Sequence, residues 1–135
     1  MQARDRGSAA VELTLLAPLF VLLLLLVVAA GRLVSARLAV DDAAHQAART
    51  LTVARTPALA TDQARTTALA ALAGRVDCSR VDLSVDLGAA TAGGSATVRL
   101  SCVVPLSDLT GLTLPATRTI TSSASSPVDT YRGSS

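Results

Sequence analysis

The sequence predicts an α+β, membrane-anchored chain: a long N-terminal helix that crosses a membrane and continues beyond it, a second helix, then a small antiparallel sheet of two or three strands. Three patterns carry that prediction. Residues Leu13 to Gly31 form an uncharged apolar run of 19 residues. From Leu33 onward apolar residues recur at spacings of three and four, and after Gly74 two stretches alternate apolar with polar. The 135 residues leave room for one small domain beyond the apolar run.

The apolar run comes first. At about 1.5 Å per residue it makes a helix of about 28 Å, which matches the roughly 30 Å hydrocarbon layer of a bilayer. A cleaved signal peptide is the rival, because "VVAAG" ends in small residues. Its apolar region, however, is ordinarily about 7 to 15 residues, shorter than this one. Pro18 lies inside the run, where it removes a backbone donor and is expected to kink the helix, an event tolerated in membranes.

Past the run, Leu33, Ala36, Val40, Ala43, Ala47, Leu51 and Ala54 form an apolar stripe of mostly small residues, with Arg37, Asp41, Asp42, Gln46 and Arg49 off it. No Gly or Pro intervenes between Arg32 and Thr56. One helix from Ser8 to Arg55, about 48 residues and about 70 Å long, follows. Thr56 as N-cap and Pro57 in the first turn open a second helix, predicted over residues 57–73 and closed by a left-handed Gly74.

In "VDLSVDL" the residues Val81, Leu83, Val85 and Leu87 alternate with polar ones, the mark of a half-buried strand. In "TVRLSCVVPL" the inward set is Val98, Leu100, Cys102 and Val104. The two are expected to form an antiparallel hairpin across the loop "GAATAGGSA", with Pro105 ending the second strand. "SDLTGLTLP" is a turn or short helical excursion, and "ATRTITSSASS" offers a third, weaker strand. The organisation expected is a basic leader (1–7), a transmembrane helix (8–31), an extracytoplasmic helical region (32–74), a small β region (75–127) and a flexible tail (128–135).

Composition and motifs exclude several function classes. Aromatics are 1% of the chain and the arginines are scattered, so stacking platforms and basic stripes for nucleic acid are missing. His45, the sole histidine, has no nucleophile near it in sequence and reads as a solvated helix residue. Asp41 and Asp42 are adjacent and diverge on a helix; Asp82 and Asp86 lie about 13 Å apart on a strand, too far to share a proton. Gly93 and Gly94 lack phosphate-cradling spacing. The chain is therefore expected to have no enzyme activity, metal or cofactor.

Cys78 and Cys102 are the only cysteines. An even count in a small β region predicts a disulfide, and with it an oxidising, extracytoplasmic location. Two buried free thiols in a cytoplasmic domain are the alternative. Charge does not orient the span, since Arg4 and Arg6 precede it while Arg32 and Arg37 follow.

The amino-terminal junction is the most specific feature. Arg4, Arg6 and Gly7 precede "SAAVE", and the long apolar helix follows. This arrangement resembles a type IV prepilin leader, in which cleavage follows the glycine and a Glu stands fifth in the mature chain. Counting Ser8 as first puts Glu12 fifth. With the small domain and the ending "TITSSASSPVDTYR", the whole resembles the TadE/TadG-like proteins of tight-adherence (Flp) pilus systems, although Leu13 follows Glu12 where those pseudopilins usually carry Tyr.

The resemblance implies a minor pseudopilin without catalytic activity. It would be cut between Gly7 and Ser8 by a prepilin peptidase and sit in the cytoplasmic membrane with its N-terminus inside. Its partners would be membrane lipid and pilin or pseudopilin helices, with no nucleic acid. Glu12 would pair with the Ser8 amine of a neighbouring subunit and set register during assembly. Glu12 as a plain headgroup-level charge, and the chain as an envelope binding module unrelated to pili, are the alternatives.

Overall fold

The computed structural model describes residues 5–53, 56–88, 94–111, 113 and 115–127. Arg4 and the rest of the first four residues, the helix end at Ala54 and Arg55, Gly93 and the tail from 128 lie outside them. The element order is α1 (Asp5–Val53), α2 (Pro57–Leu72), β1 (Arg80–Asp86), β2 (Ser95–Pro105), α3 (Leu106–Thr110) and β3 (Thr117–Pro127).

Helix α1 runs unbroken for 49 residues, through Pro18. Its two halves meet different surroundings. From Val11 to Val28 the large apolar side chains are all exposed, whereas Ala36, Ala39, Val40, Ala43, Ala44, Ala47, Ala48 and Leu51 are buried. At 3.6 residues per turn the buried set spans about half the helix circumference, wider than the expected stripe. Two neighbours account for that width: α2 packs on one flank and the sheet, through β2 and β3, on the other.

Polar contacts mark both margins of the buried arc. On the α2 side Arg75 donates to the Asp42 carboxylate at 2.6 Å. On the sheet side the Ser122 hydroxyl donates to Asp41 at 2.6 Å. Hydrogen bonds from Arg75 first, then Gln46, hold the Asp42 carboxyl below its ordinary value.

Helix α2 offers Ala60, Ala64, Ala68 and Leu72 to the core, one residue per turn. Alanine on both helices lets their axes approach toward the short end of the usual range of about 8–10 Å. Thr56 has extended backbone before Pro57, and its side chain makes no cap hydrogen bond. The expected N-cap is therefore positional only. Gly74, at φ 72°, turns the chain so that the amides of Arg75 and Val76 both donate to the Leu72 carbonyl.

The sheet is antiparallel in the order β1-β2-β3, with β2 central. Its inward residues Ala96, Val98, Leu100, Cys102 and Val104 are all buried. Val81, Leu83 and Val85 of β1 are only half-buried, because α1 lies over β2 and β3. The third strand is stronger than its sequence: it runs 11 residues and pairs along the whole of β2, from Ser95↔Pro127 to Pro105↔Thr117. The short excursion after Pro105 is α3, and the amide of its first residue, Leu106, donates to the Ala116 carbonyl at 2.7 Å, tying the start of α3 to the residue before β3.

Candidate functional site

Helix formation at the amino-terminal junction begins early. α1 is already helical at Asp5, so the Gly7–Ser8 bond lies within helix, and Ser8 and Glu12 stand one turn apart. Glu12 therefore stands about two turns beyond Asp5, past the first turn, where free N–H groups favour a carboxylate. The dipole's help extends only over the first turn. It reaches Glu12 only if the chain is shortened to begin at Ser8.

Glu12 is exposed and has no hydrogen-bond or ion-pair partner among the described residues. Thr14, two residues further, donates its hydroxyl to the Ala10 carbonyl at 2.8 Å, so that polar group is satisfied by its own helix. Glu12 thus differs from its neighbour. A carboxylate cannot be satisfied by helix carbonyls, since it only accepts. Around and above it the helix shows Val11, Leu15, Leu19 and Phe20, exposed by 57 to 72%. One apolar window within residues 10–53 has mean hydropathy 2.9 and none of it is buried in the fold.

The other candidate residues are distributed through the domain. Cys78 and Cys102 are joined as a disulfide, their Cα atoms 5.4 Å apart. The bond ties the turn after α2 to the centre of the core face of β2, beside the pairing of Val81 with Cys102. His45 is exposed, with Nδ1 2.9 Å from the Asp41 backbone carbonyl and 3.8 Å from its carboxylate. Asp82 and Asp86 pair across the hairpin with Ser101 and Thr97, and Asp86 also accepts the Gly88 amide at 2.9 Å. None of these is brought to Glu12.

Sequence reasoning missed one contact at the base of the domain. Arg32, the first residue after the uncharged run, donates from its guanidinium to the Asp108 carbonyl of α3 at 3.1 Å. In the sequence Arg32 served only as a charge flanking the span. Its partner lies 76 residues away, so spacing held no signal for it.

Compared with known proteins, residues 7–49 match the family model described as TadE-like protein. The matched segment starts at Gly7, includes Ser8, Glu12 and the whole apolar run, and stops within the buried half of α1, leaving α2, the sheet and the disulfide outside it. No curated protein and no solved structure is matched.

Proposed function

We propose, from the premise that residues 7–49 are a TadE-like domain and that such a domain marks a Tad pilus-related protein, that this chain is a minor pseudopilin-like assembly protein with no reaction of its own. It is held in the cytoplasmic membrane by residues 8–31, with the disulfide-bonded domain outside. The division of α1 carries this reading: one continuous helix has a half buried by its own domain and a half whose apolar surface is open all round. A tether alone needs the open half to meet lipid. A pilin-type subunit also needs it to meet other helices, and the exposed Leu and Val supply that surface.

Glu12 gives the open half its polarity. A carboxylate at the centre of a membrane helix costs about 2.5 to 3.5 kcal/mol on insertion scales and less near an interface, so a partner charge is favoured. Cutting the Gly7–Ser8 bond exposes an α-amine on each Ser8. In a row of staggered subunits that amine faces the Glu12 of a neighbour, and pairing would neutralise both charges in lipid. Prepilin peptidase makes the cut in this scheme, and pilin or pseudopilin helices are the partners.

Intact-mass measurement of the membrane-extracted protein tests the scheme. A mature N-terminus at Ser8 is expected; an intact Met1 identifies a plain envelope anchor, and a start near Arg32 removes the anchor altogether. Glu12→Ala should insert normally yet fail in pilus assembly. Normal assembly by that variant would take Glu12 out of the mechanism.

A further inference from the structure

Arg32 follows directly on the uncharged run. At about 1.5 Å per residue, Arg32 to Ala36 stand about 1.5 to 7.5 Å beyond its end at Gly31. A headgroup layer is about 5 to 8 Å deep. At that depth the domain folds back against the helix and leaves a cleft of about 260 Å³, whose lining includes Arg32, Arg75, Asp77 and Asp108 with Ala36 and Leu109.

The charges in this cleft are complementary to a dipole. Arg32 spends one N–H on the Asp108 carbonyl, which fixes the guanidinium in place and leaves its other donors open. Arg75 is already engaged by Asp42. Among the described residues, the carboxylates of Asp77 and Asp108 have no ion-pair partner, and Asp108 accepts only a long 3.4 Å hydrogen bond from the Ser107 hydroxyl. One open cation beside two open anions disfavours a ligand of net negative charge and suits one carrying a phosphate next to an ammonium.

We propose that this cleft binds the headgroup of a zwitterionic phospholipid with a primary ammonium, its phosphate on Arg32 and its ammonium on Asp77 and Asp108. A primary ammonium offers three N–H donors to the carboxylates, whereas a quaternary one offers none. The bound lipid would hold the base of the domain, through α3 and the turn after α2, against the membrane surface. The proposal rests on the membrane-anchor reading above.

The test is native mass spectrometry of the full chain in dodecyl maltoside micelles, with phosphatidylethanolamine, phosphatidylcholine and phosphatidylglycerol at equal concentration. The ethanolamine lipid should be retained about fivefold over either other, as expected for a part-exposed ion pair. Arg32→Gln should bring retention to parity. Asp77→Asn, at a side chain with no hydrogen bond among the described residues, should do the same without touching the Arg32 to Asp108 contact. Equal retention of the three lipids, or a preference unchanged in Asp77→Asn, would overturn the site. Displacement of the lipid by an equal concentration of soluble phosphoethanolamine would overturn its assignment to lipid. If alkaline carbonate strips the protein from membranes, the anchor reading fails; if it stays and shows no lipid preference, the site alone does.

Discussion

Reduction of the Cys78–Cys102 bond is the perturbation whose size the structure fixes best. The two residues are 24 apart in sequence, so the bond closes a loop of about 25 residues. The chain-entropy relation assigns such a loop about 3.5 kcal/mol at 25 °C. The domain it staples is poor in large side chains: its fully buried set beyond alanine is Leu100, Val40, Val98, Val104 and Cys102. For a domain of that size, 3.5 kcal/mol is a large share of the usual net stability of about 5 to 15 kcal/mol.

Strand register has support apart from the bond. Ser79 donates its amide to the Val103 carbonyl at 2.8 Å, and the ladder from Arg80↔Val103 to Asp86↔Thr97 continues independently. Reduction should therefore preserve which amides are protected and change only how fast they exchange. Hydrogen-exchange mass spectrometry on the full chain in micelles should show exchange at Val98 to Cys102 accelerated about 300-fold, the factor equivalent to 3.5 kcal/mol. An acceleration below about tenfold would refute the loop-closure reasoning. Loss of the protection pattern itself would show that the disulfide sets the register.

Three further outcomes follow from packing and charge. Ala44→Leu inserts three carbons at a fully buried position and should destabilise the domain by about 1 to 3 kcal/mol, measured by chemical denaturation. Gly88→Ala places a Cβ 2.9 Å from the Ser95 carbonyl oxygen at φ 56°; faster exchange at the β1 and β2 ends flanking the turn should follow, with α1 and α2 unaffected. Asp42 has a folded-state value lowered from 3.8, so its pairing with Arg75 contributes above the ordinary carboxylate range and is lost as pH falls through the lowered value. Both side chains are about half exposed, so the loss of stability on acidification in wild type relative to Asp42→Asn should be small and should shrink in high salt.

How far the sequence reached differed by element for definable reasons. Helix α1, the hairpin and the turn at Gly74 were legible because each is governed by local periodicity or by a residue with a fixed backbone preference. The third strand was underestimated because the residues on its core side are Arg118, Ile120, Ser122, Ala124 and Ser126, only two of them apolar. Ser122 belongs on that face because Asp41 receives its hydroxyl, a partner 81 residues away. The width of the buried arc on α1 was also underestimated, since a periodic stripe reports one neighbour and α1 packs against α2, the sheet and, near its foot, α3.

By itself, the sequence determined the long apolar helix, its break at Thr56 and Pro57, the α+β order and the junction of Gly7, Ser8 and Glu12, all of them properties of neighbouring residues. Tertiary structure decided which half of α1 is covered and that Arg32 meets α3 at the foot of the domain. Those facts depend on residues brought together from opposite ends of the chain. Periodicity encodes which face of a helix will be buried, but not which of two faces of its environment will do the burying.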